Sequence, residues 1–387
     1  MTPTTRAGMP TPGYERGGVY QPPIIYFGGK SAVAGLVWDA LGDCKNYVEP
    51  FFGSGAVLFL RPQVGAIETV NDADGLLANF WRALQRDPDA VADAADNPVN
   101  EGDLHARHLW LLGQRDRITE RLMGDPDFYD AKAAGWWAWG LNCWIGSGWC
   151  SGRGPWVEEN GVMVLRNTGN GVNRQRPDLG GGKGVKRQRP HLGDAGNGVN
   201  RKLPHLGGGR GVNRKRPHLG DAAGGGECAE RRAWLIGYLR GFADRLRNVR
   251  VCCGDWSRVC GPCVTFKHGV TGVFLDPPYA DTANRTAGLY AVDCQAVAHQ
   301  AREWALAHGT NPLLRIVLAG YSEHESLESH GWSVARWEAR GGYGLQGKKE
   351  GLGNTNKTRE TLYFSPHCLK TSDDLFNAAG QRVSNEE

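Results

Sequence analysis

The sequence predicts a doubly wound α/β domain, a mostly parallel sheet with helices on both faces, opened in its middle by a large insertion. Three observations predict it. Strand–turn–helix units follow one another near the start, and further apolar strands return near the end. Between them the alternation gives way to helical, tryptophan-rich and repetitive stretches.

In chain order, IIYFGGKSAVAGLVWDAL starts as a short strand or loop and becomes a helix after its glycines. KNYVEPFFGSGAVLFLRP reads as a strand at Tyr47 and Val48, a glycine turn and a second helix. AIETVNDADGLLANFWRALQRD repeats the unit, with a strand at Ile67 to Val70, an acidic turn and a helix. Successive units of this kind imply parallel strands whose carboxyl ends share one edge. From about Gln85 to Asn248 only two helical stretches stand out, Asp103 to Met123 and Ala229 to Arg247, on either side of GWWAWGLNCWIGSGWCSGRGPW and a set of repeats. The sheet pattern resumes with VRVCCGDW, TGVFLDPPYA and LLRIVLAGYSEH, then Trp332 to Trp337 and Thr361 to Phe364.

With 387 residues, 40% of them hydrophobic, the chain can bury the core of one large domain carrying an insertion. Its first residues lack the apolar region of a secretion signal, and no apolar run reaches the roughly 18 residues of a membrane span. A soluble, cytoplasmic protein is expected. The ten cysteines are scattered in a chain too long to need disulfides, so reduced thiols are expected. Cys260 and Cys263 form a CGPC that suggests zinc or a redox pair, but no second ligand pair has suitable spacing, and no metal is expected. The net charge of +4 is unevenly spread: residues 166–220 hold 13 Lys and Arg against two Asp, leaving −7 for the remainder. A local positive field suits a polyanionic partner meeting one face.

Four repeats carry that charge: GNGVNRQRPDLG from Gly169, GKGVKRQRPHLG from Gly182, GNGVNRKLPHLG from Gly196 and GRGVNRKRPHLG from Gly209. Proline and glycine in each argue for loops or irregular ribbon. Either they bind nucleic acid or they form a solvated low-complexity insert.

Chemistry concentrates in three motifs. In EPFFGSGAV, a strand ending at Glu49 turns through Phe51, Gly53 and Gly55, which brings bare backbone close to a ligand at the sheet edge; a plain turn is an equally good reading of the glycines alone. Asp72, about twenty residues on, suits both ribose hydroxyls of a nucleoside, or a helix cap. DPPY, Asp276 to Tyr279 after the apolar GVFL, is the most specific. Its prolines stiffen a turn that aims a carboxylate, a carbonyl and an aromatic ring into one cleft.

In YFGGK, EPFFGSGAV, ND and DPPY, over residues 21–80 and 250–365, the sequence resembles the Dam-type DNA adenine methyltransferases, and the motif order is that of their α class. The resemblance implies a Rossmann-like, S-adenosylmethionine-dependent sheet with an inserted target-recognition region. Residues 1–20 and 367–387 read as mobile ends, and the expected division is a catalytic domain over 21–84 and 249–366 with an insertion over 85–248. The resemblance further implies donor contacts at Tyr26 and Lys30, a ribose ligand at Asp72, catalytic roles for Asp276, Pro277 and Tyr279, and an acidic–aromatic pair, Asp255 and Trp256, near the donor's adenine. Glu49, Phe51, Gly53 and Gly55 complete the expected donor site.

The expected reaction follows from amine chemistry. An exocyclic amine is a poor nucleophile because its lone pair is delocalised; the Asp276 carboxylate and Pro277 carbonyl accept its hydrogens and aim the pair at the methyl group. The adenine must be flipped from the duplex, and Tyr279 stacks on it. Double-stranded DNA is the expected partner, gripped by Arg174, Arg176, Lys186, Arg187, Arg189, Arg201, Lys202, Arg214, Lys215 and Arg216 of the repeats. Trp136, Trp137, Trp139, Trp144, Trp149 and Trp156 are read as core and hinge packing, with a ring wedged into the DNA stack as the sharper alternative. A monomer is expected, in a bacterial or phage-infected cell, with a restriction endonuclease partner left open. Competing readings are methylation of cytosine's amino group and a catalytically idle DNA-binding protein on the same scaffold. RNA or protein amide methylation leaves the basic insertion unexplained.

Overall fold

The computed structural model describes residues 22–24, 29–144, 149–150, 156–160, 162–165, 228–278, 296–336 and 360–369. Seven strands build the main sheet: β1 (Asn46–Glu49), β2 (Ile67–Asp72), β5 (Val249–Cys253), β6 (Thr271–Leu275), β7 (Leu314–Gly320), β8 (Ser333–Arg336) and β9 (Thr361–Phe364). Their order is β5-β2-β1-β6-β7-β9-β8. The first five are parallel, while β9 runs antiparallel to both β7 and β8. Strands β3 (Trp156–Glu159) and β4 (Val162–Leu165) form a separate antiparallel hairpin that the sequence pattern did not announce.

This is a doubly wound, Rossmann-like arrangement. The chain steps outward from β1 through β2 to β5, then returns to lay β6 against the other side of β1. Reversal at β1 and β6 opens a crevice at their carboxyl ends, where open α/β sheets take ligands.

Alternating side chains explain why both sheet faces are covered. Tyr47, Phe274, Val317, Leu362 and Phe364 point into one apolar cluster, while Val48, Val273, Leu275, Ile316, Leu318 and Tyr363 point into another. The first cluster is closed by α1 (Ala34–Leu41), α3 (Gly75–Arg86), α6 (Ala131–Cys143) and α7 (Cys228–Leu246), the second by α8 (Val297–His308) and by Leu327 and Trp332. Glu68, buried at 2% exposure, joins Arg61 at 2.9 Å and Arg245 at 2.6 Å, so one carboxylate ties α7 to the foot of β2.

The expected second helix shrinks to the single turn α2 (Ala56–Phe59). Two helices emerge where none was expected, α4 (Pro88–Ala95) and the tryptophan-rich α6; α5 (Glu101–Gly124) was expected. Asn79 of α3 grips Asp130 through both its backbone N–H and its carbonyl, and Asp130 in turn caps α6 by accepting from the Ala133 N–H. Trp137, Trp139 and Trp149 are buried and Trp136 and Trp144 half-buried, so these five pack as core; the side chain of Trp156 lies outside the described residues.

The cysteines described, among them Cys260 and Cys263, are free thiols, and no group of His, Cys, Asp and Glu among the described residues is arranged to hold a metal. At the chain's far end His367, Cys368 and Leu369, expected to begin a mobile tail, are tied down. His367 bonds the Thr310 carbonyl at 3.0 Å and the Leu369 N–H donates to Ala40 O at 2.8 Å.

Candidate active site at the carboxyl edge of the sheet

Four adjacent strands deliver the candidate residues to one edge. β1 ends at Glu49, β2 at Asp72, β5 at Cys253 just before Asp255, and β6 at Leu275 just before Asp276. The register pairs Val48 with Val273 and Glu49 with Val70, which fixes these ends side by side.

The glycine turn is locked from below. Gly53 and Gly55 have φ of 50° and 70°, left-handed values that side chains other than glycine rarely adopt. A Cβ on Gly55 would come within 2.6 Å of Phe59 and 2.7 Å of Phe52. The Gly53 N–H donates to Asp72 Oδ2 at 3.1 Å, and its carbonyl accepts from Trp81 Nε1 at 3.0 Å. Asn71 Nδ2 clamps the loops together by donating to Pro50 O at 3.1 Å and Gly254 O at 3.0 Å. The ND motif gives Asn71 no role in the sequence; its clamping amide sits one residue before the end of β2.

Asp72 is the last residue of its strand, which runs two residues beyond the Ile67 to Val70 expected from the sequence. Oδ1 accepts the Asp74 N–H at 2.9 Å, so each oxygen holds one backbone donor and keeps further accepting capacity. It does not cap the following helix; Asp74 does, accepting from the Leu76 N–H at 3.0 Å. Burial, with the charge of Asp74 adding to it, lifts the Asp72 carboxyl to about 7, although the N–H groups of Asp74, Gly53 and Ala73 oppose the rise. Glu49 is buried and accepts from Tyr47 Oη at 2.9 Å. Burial raises its carboxyl well above the usual range, with Asp276 and Asp72 adding to the shift.

Phe51 and Trp256 stack with centroids 5.8 Å apart and planes 29° apart, forming an aromatic wall beside the turn. Asp255 is exposed, and its Oδ1 accepts from the Ser257 N–H at 2.9 Å, starting the short 3-10 turn that holds Trp256.

Lys30 and Asp276 meet directly. Their Nζ and Oδ2 are 2.9 Å apart, with side-chain exposures of 5% and 18%. Burial raises the Asp276 carboxyl and Lys30 pulls it part of the way back. Burial also works against the Lys30 charge, yet Asp276 and Glu360 outweigh it and hold the ammonium above its usual range. The sequence had assigned Lys30 to the methyl donor; contact with Asp276 from a distant part of the chain carried no local signal. Pro277 is buried. Tyr26, Tyr279 and the ten basic residues of the repeats lie outside the described residues.

Lys30, Glu49, Phe51, Gly53, Gly55, Asp72, Asp255, Asp276 and Pro277 thus gather on the carboxyl edge, and the segment holding the first six has a counterpart among known proteins. Residues 26–108 match the D12 class N6 adenine-specific DNA methyltransferases. Together with the sheet order, the match supports adenine-specific DNA methyltransferase activity for this chain, a transferase reaction on DNA. The matched segment ends within α5, before the basic repeats and before Asp276. No curated protein matches the chain. No helix among the described residues is long and apolar enough to cross a membrane.

Proposed function

We propose that this methyltransferase acts in the manner of the Dam-type α class, moving the methyl group of S-adenosylmethionine to the exocyclic amine of an adenine flipped out of double-stranded DNA. One observation carries the reading: the acids ending β1 and β2 and the Lys30–Asp276 pair after β6 share the crevice where the strand order reverses.

The donor set fits a cationic nucleoside. Asp72 retains accepting capacity for ribose hydroxyls, Phe51 and Trp256 offer a stacking wall, and Gly53 and Gly55 keep the turn free of side chains. Glu49 feels the charges of both Asp72 and Asp276, and Lys30 is paired with Asp276, an excess of acid that favours a positively charged donor. Bound there, S-adenosylmethionine supplies an activated methyl group.

The chain's own residues do the rest. Lys30 keeps the Asp276 carboxylate ionised and occupies Oδ2, which leaves Oδ1 to accept one amino hydrogen of the base. The Pro277 carbonyl accepts the second. Both contacts draw the nitrogen lone pair out of conjugation and fix its direction, so Asp276 positions the amine and need not deprotonate it beforehand. Tyr279 keeps the stacking role assigned from the sequence. The insertion over 85–248, with its basic repeats, supplies target recognition.

Expression in cells free of DNA methylation, followed by genome-wide reading of modified bases, tests the proposal. N6-methyladenine in a fixed context is expected from the wild type and none from Asp276→Ala, which still binds S-adenosylmethionine. Modified cytosine, or full methylation by Asp276→Ala, refutes it.

A further inference from the structure

β5 is the edge strand on its side of the sheet, and beside it lies a cleft of about 1010 Å³, walled by α3, β5, the carboxyl ends of α5 and α7, and the turn after β5. Six arginines line it: Arg82, Arg86, Arg240, Arg247, Arg250 and Arg258. Three are neutralised by carboxylates, Arg86 by Asp127 at 3.3 Å, Arg240 by Asp89 at 2.5 Å and Arg247 by Asp244 at 2.7 Å. The other three keep their charge. Arg82 is buried and donates to the carbonyls of Leu122, Asp125 and Val251, which satisfy its N–H groups without cancelling a unit charge. Arg250 and Arg258 are exposed and form no ion pair among the described residues. Nor do the thiols on β5 compensate, since burial raises both Cys252 and Cys253, the latter to about 12, and keeps them neutral.

A concave surface holding cations without counter-ions attracts an anion. The place of this one identifies the anion. It sits where insertion helices α5 and α7 meet the sheet, and it runs to Arg258, three residues beyond Asp255 at the carboxyl edge. We propose that the cleft is a second DNA-contact surface, in which Arg250 and Arg258 hold backbone phosphates of the duplex away from the target base. It rests on the DNA methyltransferase reading and extends it to a region separate from the basic repeats.

The test is duplex binding by fluorescence anisotropy across a range of salt, with the full chain carrying both Arg250→Gln and Arg258→Gln. Each phosphate contact contributes about 0.9 to the slope of log K against log salt, so the double variant should lose roughly 2 from the slope and bind roughly 60-fold more weakly near 0.1 M salt. Its S-adenosylmethionine affinity and its rate at saturating DNA should match the wild type. A control removes two exposed arginines elsewhere, Arg117→Gln on α5 with Arg336→Gln on β8. An unchanged slope in the cleft variant, or an equal loss in the control, overturns the proposal. Failure of the wild type to bind DNA at all would instead remove the underlying reading.

Discussion

Replacing Lys30 with Met separates two roles for this lysine, holding Asp276 or holding the methyl donor. The Nζ–Oδ2 distance is 2.9 Å and both side chains are largely shielded from water. Removing one member of a buried pair typically costs about 3–5 kcal/mol, because the remaining charge is left without compensation. Here the cost falls on ionised Asp276, whose carboxyl burial already raises. A penalty of that size lowers the ratio of ionised to protonated Asp276 at a given pH by a factor of roughly 150 to 5,000. Since the raised group must lose its proton to accept the amine, activity fails as pH falls through its folded value. That failure moves to higher pH when Lys30 is gone. The assay is single-turnover transfer of labelled methyl to a duplex over a range of pH, with circular dichroism confirming the fold. Lys30→Met should be slow at neutral pH and recover as pH rises, whereas Lys30→Arg should keep most of the wild-type profile. If Lys30→Met leaves the acid limb in place and only raises KM for S-adenosylmethionine, the lysine serves the donor and the reasoning is wrong.

Two further outcomes follow from the same geometry. Burial lifts Asp72 to about 7, so the group is largely neutral below that pH, and ionising it costs stability as pH rises from its unfolded value near 4 through 7. Donor affinity, measured by calorimetry, should therefore strengthen between pH 6 and 8 in the wild type; Asp72→Asn should weaken it roughly tenfold or more, remove the pH dependence and raise stability at pH 8. Excision of 166–220 removes 13 basic residues and should flatten the salt dependence of DNA binding while sparing donor affinity; an unchanged slope would make the repeats a solvated insert.

The sheet was legible because its signals are local. Tyr47 and Val48 face opposite clusters, as period-two alternation requires, and DPPY follows an apolar strand whose five residues are all buried. Helix α6 was not legible. Three tryptophans and two glycines within it are indifferent helix formers, and the glycines are explained only by neighbours. A Cβ on Gly135 would lie 2.4 Å from Ala94 Cβ of α4, and one on Gly140 would lie 1.9 Å from the Trp149 ring. Close approach of helix to helix and of ring to helix selects glycine there, and no pattern within the segment encodes it. At the site, the acids could be read individually. Their mutual company could not, since it depends on which strands become neighbours.

That company has a thermodynamic consequence for how donor and base are recognised together. Glu49, Asp72 and Asp276 each have carboxyls lifted by burial, and among the described residues only Asp276 has a lysine at salt-bridge distance. Without ligand, ionising all three opposes desolvation and mutual repulsion. A sulfonium placed among them relieves both. It also lowers the proton affinity of Asp276, the group assigned to grip the amine. Donor binding and readiness to accept adenine are thus linked through charge, and linkage is reciprocal. On the proposed reading, a neutral demethylated product forfeits this stabilisation and binds the edge less tightly than the cationic donor, which turns the acid-rich pocket into a device for releasing spent cofactor.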